Sequence, residues 1–347
     1  MPRQVRRRLS HLAPVNRWVQ SATFEAGKAN ETMRVLITGG AGFIGSALTR
    51  ACLARGGDVT VVDNLATGKR EQVADGARFH CMSIGDPRLE GIFVENGPFD
   101  FVYHYAALKD VRKALIDPAS DADANILGTL NVLRCAAEHR TGRVIFPSSA
   151  AVYGDAPVRP TPETAPISPI SPYGISKTAC EHYLSFFAHN RALPAVALRY
   201  STVYGPAAAE ESEAGVITIF TRRMLAGRRP VVFGDGDQTR DFIHVDDIVR
   251  ATMLAAERAP RPWAVYNVST SVETSLNELY RQLCAETGYD EPAEYLDRKP
   301  GEVLNNVQDP SKIGRELGWR AEVSLGDGLR SVVAAYRDEM VLAPATR

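Results

Sequence analysis

The sequence predicts an α/β protein, a doubly wound parallel sheet followed by a smaller C-terminal lobe. Three observations carry that expectation. A short apolar strand runs through spaced glycines into an apolar-periodic helix from Met33 onward. Apolar strand segments then alternate with helical ones to about residue 200, which is how a parallel sheet is built. Beyond that point the alternation stops at Pro206, an Ala/Glu-rich stretch from Ala207 to Glu213, and Pro230.

Residues 1–32 precede all of this. Arg3, Arg6, Arg7, Arg8 and Arg17 make a basic head with little apolar periodicity and no secretory apolar stretch. It is expected to be a disordered tail, or sequence upstream of the true start at Met33, and is left out of the fold argument.

The first strand is Val35, Leu36 and Ile37, and the helix after it buries Ala47, Leu48, Ala51 and Cys52. Between them Gly39, Gly42 and Gly45 are spaced G-x-x-G-x-x-G. The first allows a tight turn, the second lets backbone approach a pyrophosphate, and the third permits close packing of helix on strand. A phosphate then sits at the helix N-terminus, where free N–H groups and the dipole favour an anion. This is the dinucleotide-binding pattern of a Rossmann-type sheet. A second strand, Asp58 to Asp63, ends in an acid placed to accept hydrogen bonds from an adenosine ribose and to repel a 2′-phosphate, which selects NAD over NADP. Lys69 and Arg70 follow closely and pull the other way.

Phe99–His104, Arg143–Pro147 and Ala195–Arg199 read as further strands, with helical patterns near 122–139 and 172–190 between them. Ligands in such sheets bind beyond the carboxyl ends of the strands, where His104-Tyr105-Ala106-Ala107 and Ser148-Ser149 lie. Ser171-Pro172 starts a helix, and Tyr173 and Lys177, four residues apart, share one of its faces. A free tyrosine holds its proton to about pH 10. A cation alongside favours the phenolate, so Lys177 is expected to lower the Tyr173 pKa and make it a base. In the C-terminal half, Ser275-x-x-Glu278 is a capping box for a helix burying Leu276, Leu279, Tyr280 and Leu283, and Ser324 caps another. The expected division is a tail at 1–32, a cofactor domain at 33–200 with 238–260 returning to it, and a lobe from 201–237 and 261–347.

Composition narrows the function classes. The chain of 347 residues is 45% hydrophobic with a net charge of −1, an ordinary soluble balance that offers no basic surface for nucleic acid. Cys52, Cys81, Cys135, Cys180 and Cys284 include no C-x-x-C, and the seven histidines form no ligand cluster, so neither a disulfide framework nor a metal site is expected. No apolar run is long enough to span a bilayer, and a cytoplasmic location is expected. His104, His182 and His244 are read as packed or surface histidines and not as proton shuttles.

With these residues in place the chain resembles the extended short-chain dehydrogenases/reductases, and within them the nucleotide-sugar epimerases. The likeness runs from Met33 to Tyr336 through Thr38–Gly45, His104–Ala107, Asn125–Thr129, Ser148–Gly154, Tyr173–Lys177 and Phe233–Asp247. It implies Ser149 and Tyr173 as the catalytic hydroxyl pair and Lys177 as the residue holding the nicotinamide ribose. It implies an NAD site from Gly39, Gly42, Phe43, Ile44, Gly45, Asp63, Asn64, Ile84, Ala106, Ala107, Lys109 and Asn125 as well as Tyr173 and Lys177. Ser83 stands where the family usually has an aspartate at the adenine. The implied UDP-sugar site takes in Ser149, Ala150, Tyr173, Thr202, Val216, Arg240, Arg298, Lys299 and Glu302. Arg240 is assigned to the diphosphate, its competing role being an ion pair with Asp241 or Asp246. Arg298 and Lys299 share the second phosphate position.

The implied reaction is C4 epimerisation through a 4-keto sugar. Thr202, where asparagine is common, resembles the subgroup acting on UDP-glucuronate, whereas Ala150 and Ala151 point to UDP-glucose; the uronate leads on the threonine. Ala151 lacks the glutamate of the family's decarboxylases, and the Asp-Glu pair of its dehydratases is missing. Those enzymes, a reductase, and a non-catalytic dinucleotide sensor remain the alternatives. Family resemblance further implies a homodimer through helices near 112–139 and 172–190.

Overall fold

The computed structural model describes residues 32–206, 215–298 and 304–342. Two layers of helix enclose one large sheet. In chain order its first half comprises β1 (Arg34–Thr38), α1 (Phe43–Ala54), β2 (Asp58–Asp63), β3 (Arg78–Cys81), α2 (Leu89–Asn96) and β4 (Phe101–His104). The chain continues through α3 (Val111–Ile116), α4 (Pro118–Ala122), a π-helical turn at Asp123–Leu127, α5 (Gly128–Glu138), β5 (Arg143–Ser149), α6 (Pro172–Asn190) and β6 (Ala195–Tyr200).

The second half mixes shorter pieces: β7 (Thr202–Tyr204), α7 (Val216–Leu225), β8 (Val231–Phe233), β9 (Thr239–His244), α8 (Val245–Arg258) and β10 (Trp263–Val268). After these come β11 (Glu273–Ser275), α9 (Leu276–Thr287), β12 (Glu294–Leu296), β13 (Asn305–Asn306), α10 (Ser311–Leu317) and α11 (Leu325–Leu342).

Seven strands pair in the order β10-β6-β5-β4-β1-β2-β3, all parallel. From β1 the chain builds outward on one side through β2 and β3, then returns to build on the other from β4. The crevice between the carboxyl ends of β1 and β4 is therefore the switch point where ligands bind in such sheets. Both faces are covered, as a parallel sheet requires, so its strands are nearly continuous apolar runs. On one face Leu48, Cys52, Ile248 and Ala255 pack against Val35, Ile37 and Tyr266; on the other Val132, Leu133, Cys180 and Leu184 pack against Leu36, Val102 and Phe146.

A separate apolar cluster holds the smaller lobe, with Phe220, Leu279, Leu283, Val332 and Tyr336 drawn from α7, α9 and α11. Ser275 and Ser324 cap as expected, accepting from Glu278 N at 3.1 Å and Asp327 N at 3.1 Å.

The topology differs from the sequence reading at four places. β9 joins a small sheet with β7, β11 and β13 and does not return to the large one; the returning pieces are α8 and β10. β10, which the reading left in the lobe, forms the edge of the large sheet beside β6. Pro260 and Pro262 stand just before it, where proline is tolerated because the strand lies at the sheet edge. β3 was not anticipated because its four residues, Arg78–Cys81, are half-exposed and carry no apolar run. The strand expected from Phe99 begins to pair at Phe101.

Candidate active site

The glycine turn is shaped by backbone contact. Gly39 has φ +72°, and its N–H donates to Val62 O at 2.8 Å. A Cβ there would lie 2.5 Å from Ala106 N, and one on Gly45 would lie 2.1 Å from Gly39 O. Only glycine lets β1, the β4 loop and α1 meet this closely. The result is a cleft of about 340 Å³ lined by Gly39, Gly42, Phe43, Ile44, Gly45, Asp63, Asn64, Ile84, Ala106, Ala107 and Lys109, with Ser83 also in its wall.

These residues fit a dinucleotide. Gly42 caps α1 without a side-chain acceptor, and the first turn holds no acid. The positive end of the helix thus faces the cleft uncompensated, which suits a phosphate. The Asp63 carboxylate accepts from Ala41 N at 3.0 Å and Leu65 N at 2.8 Å, and each oxygen keeps a second lone pair for a ribose hydroxyl. The competing basic pair is half spent: the Arg70 guanidinium stacks on Phe79 at 4.6 Å, while Lys69 lines the cleft.

Tyr173 and Lys177 stand apart from the residues lining this cleft, and so does Asn125. Its carboxamide brackets Leu108, accepting from the N–H at 2.8 Å and donating to the C=O at 2.9 Å, and also donates to Asp121 at 2.9 Å. It holds the wall between Ala107 and Lys109.

The catalytic candidates meet at the end of β5. Ser171 Oγ accepts from Gly174 N at 3.2 Å and Pro172 occupies the first helical position, so α6 begins where its sequence predicts. Lys177, 3% exposed, donates to Pro147 O at 2.7 Å and lies 4.4 Å above the Phe146 ring and 5.7 Å from the Tyr173 ring centre. Ser149 accepts from Ala151 N at 3.2 Å and interacts with the Tyr173 phenol. Ala150 is buried in the turn that follows.

One electrostatic expectation is corrected. Burial pushes the Tyr173 phenol up to about 12, against a smaller downward pull from Ser149. Burial also lowers the Lys177 ammonium to about 8, with Cys180, Asp121 and Glu181 acting in the opposite sense. Desolvation disfavours the charged form of both groups and outweighs their proximity. In the protein alone Tyr173 is therefore a neutral phenol near pH 7.

The three histidines occupy different environments. His104 sits between Thr38 and Thr129, its ring nitrogens 2.7 and 2.9 Å from their hydroxyls, and burial depresses its pKa to about 3. His244 caps α8, accepting from Asp246 N at 3.3 Å. His182 is exposed on α6.

The substrate candidates are more dispersed. Thr202 begins β7 in register with Phe242 of β9, and Val216 opens α7. Arg240 lies on β9 opposite Asn306 and donates to Thr239 O at 2.8 Å and Leu304 O at 3.2 Å. Its neighbour Asp241 is engaged elsewhere, by the Thr270 hydroxyl and the N–H groups of Thr270 and Ser271. Arg298 lies at the lobe surface, 3.2 Å from Asp235. Lys299 and Glu302 fall outside the described residues.

Three buried groups near the site were not singled out from the sequence. Asp121 accepts from Ser176 Oγ at 2.6 Å, and Glu181 pairs with Arg199 at 2.7 Å. The available signal was an arginine inside the apolar strand Ala195–Tyr200 and an acid on the Tyr173 face of α6.

Among the described residues no helix is long and apolar enough to cross a membrane.

Known proteins agree with this geometry. The model of the NAD-dependent epimerase/dehydratase family matches residues 35–269. A putative UDP-glucose 4-epimerase of Methanocaldococcus jannaschii is 37% identical over 302 residues, covering 86% of this chain and 97% of that protein. The UDP-glucose 4-epimerase of Thermotoga maritima, solved with UDP-glucose, superimposes with a TM-score of 0.87 at 41% identity, covering 89% of this chain and 100% of that one. The enzyme of the same name from Thermus thermophilus, solved with NAD, gives a TM-score of 0.82 at 37% identity over 88% of this chain and 99% of that one. A glycine cleft shaped for a dinucleotide, a Tyr-x-x-x-Lys helix beside it and agreement over nearly the whole folded chain lead to one conclusion: the chain belongs to the NAD-dependent epimerase/dehydratase family.

Proposed function

We propose that the protein is a UDP-sugar 4-epimerase that inverts C4 of a UDP-hexose. The observation that carries this reading is the convergence of Ser149, Tyr173 and Lys177 at the end of β5, on the cleft side of the sheet. When bound, NAD supplies a reversible hydride acceptor with a cationic ring.

The chain's own groups handle the proton. Tyr173 takes the C4 hydroxyl proton as hydride leaves the same carbon, and Ser149 donates a hydrogen bond to the sugar oxygen as it becomes a carbonyl. Burial keeps Tyr173 a neutral phenol in the protein alone, so it would take this proton only once ionised, with the Lys177 ammonium and the cationic ring of bound NAD together favouring the phenolate. Arg240 holds the diphosphate while the 4-keto sugar turns, and the proton and hydride return to give the inverted carbon. The small, non-acidic Ala150 and Ala151 offer neither the glutamate that decarboxylation uses nor the acid pair that dehydration uses.

The finer reading is a uronate. The Thr202 hydroxyl can bond a C6 carboxylate, which supports UDP-glucuronate and UDP-galacturonate as the preferred pair over UDP-glucose and UDP-galactose. A cytoplasmic homodimer completes the proposal. Ile116 (85% exposed), Leu127 (58%), Ile175 (53%) and Phe186 (48%) lie on the helices expected to form its interface. Large exposed apolar side chains on these helices support association. Sedimentation at the monomer mass would count against the dimer.

The test is the Tyr173→Phe protein assayed with UDP-glucose and UDP-glucuronate, resolving the C4 epimers. Turnover is expected to fall by about 10²–10⁴-fold, the usual range for a lost general acid–base. NAD retention is expected to be unchanged. Undiminished turnover, or a product of altered mass from the parent protein, overturns the reading.

A further inference from the structure

The catalytic helix carries a third group on the face that bears Tyr173 and Lys177. Positions 173, 177 and 181 are spaced i, i+4 and i+8, so Glu181 continues their row. Each member of the row meets one residue at the end of β5: Tyr173 meets Ser149, Lys177 meets Pro147 O, and Glu181 meets Ser148. Ser148 Oγ donates to Glu181 Oε1 at 2.5 Å, and Ser148 is the residue immediately before Ser149.

Glu181 is held from its other side. Arg199 on β6 grips it with two parallel bonds, Nε to Oε1 at 3.0 Å and Nη2 to Oε2 at 2.7 Å, with both side chains under a tenth exposed. This is the bidentate geometry that fixes direction as well as distance. Arg199 Nη1 donates to Tyr153 Oη at 2.8 Å, which in turn donates to Asn267 at 2.7 Å. Asn267 Nδ2 reaches Thr161 O and Asp309 O, on the segments that bridge Thr161 to Gln308.

We propose that Glu181 is a positioning residue for the reaction: clamped by Arg199, it sets the end of β5 and thereby the place of Ser149 against Tyr173. The proposal rests on the epimerase reading above. A buried ion pair is a poor source of stability compared with well-packed apolar side chains, and fixing geometry is the role it fills better. Neither residue is among those lining the cofactor cleft; Glu181 acts through Ser148 and the helix.

Two variants test it. In Glu181→Gln, kcat with the sugar nucleotide that the parent turns over is expected to fall by on the order of 10- to 10²-fold, since misplacing a catalytic group by about 1 Å costs this much. KM and UDP affinity are expected to stay within about twofold, because the diphosphate contacts lie elsewhere. The double variant Glu181→Met/Arg199→Met replaces the pair with apolar side chains and is expected to match or exceed the parent Tm while kcat stays low. A double variant that regains both Tm and kcat shows the pair to be packing only and overturns the proposal.

A crystal structure of Glu181→Gln decides without reference to turnover. Ser149 Oγ is expected to leave its place beside Tyr173, and an unmoved Ser149 refutes the idea even if activity falls. A parent protein inactive on every UDP-sugar would instead defeat the proposed function, leaving this positional readout standing.

Discussion

The cofactor cleft and the lobe beyond β6, where the sugar nucleotide is proposed to bind, are built from different material. In the cleft the contact surface is backbone. Gly39 and Gly45 bring main-chain atoms so close that a single Cβ would collide at 2.5 or 2.1 Å, and α1 offers uncapped N–H groups. In the lobe the proposed contacts are side chains on very short strands: Thr202 on a three-residue strand and Arg240 opposite a two-residue one. A backbone site admits few sequences and therefore one kind of ligand. A side-chain site can be retuned by single substitutions, which is how one cofactor fold can serve several sugars.

The contrast breaks most sharply at Gly45. In Gly45→Ala the new methyl is directed at Gly39 O, so β1 or α1 must shift. Overpacking of this kind costs about 1–3 kcal/mol, and the shift also removes the phosphate cradle. The variant is expected to melt lower and to purify without NAD. Thermal unfolding and the nucleotide released on denaturation check both, and a protein with full NAD content would show that backbone closeness does not define the cleft.

Arg240→Ala is the matching test on the lobe. Losing a charge-assisted phosphate contact of about 1.5–3 kcal/mol is expected to weaken UDP binding roughly 10- to 100-fold. NAD content is expected to be unaltered, since Arg240 lies on β9, outside the large sheet. Titration of UDP by calorimetry gives the answer. Affinity within twofold of the parent would remove Arg240 from the site.

The same contrast explains what could be read from the chain before its structure. Backbone-built features were legible because local sequence encodes them: the spacing of Gly39, Gly42 and Gly45, the Ser171-Pro172 start of α6, and the acid ending β2. Features that depend on distant partners were not. Asn125 belongs to a familiar motif, but that it braces Leu108 without reaching the cleft depends on a loop 17 residues away. The Tyr173 proton affinity was misjudged because proximity to Lys177 is visible in sequence whereas burial is not. Glu181 and Arg199 lie 18 residues apart on different elements, and nothing local marks them as a pair. β10 was not singled out because its place beside β6 is set by long-range pairing that local sequence does not mark.

The smallest expected effect is the most discriminating for substrate. Thr202 offers a hydroxyl that a C6 carboxylate can accept from and that a neutral C6 hydroxyl uses less strongly, since hydrogen bonds to charged groups contribute about 1.5–3 kcal/mol against about 1 for neutral ones. Thr202→Ala is therefore expected to lower kcat/KM for UDP-glucuronate by about tenfold while that for UDP-glucose changes by a few-fold at most. The ratio of the two constants is the measurement, because it cancels any general loosening of β7 or of its pairing with Phe242. A ratio that does not move would assign the C6 group to another contact and leave the hexose, favoured by Ala150 and Ala151, as the better substrate. A ratio that falls would place sugar choice on a single side chain in the lobe, with the glycine cleft indifferent to it.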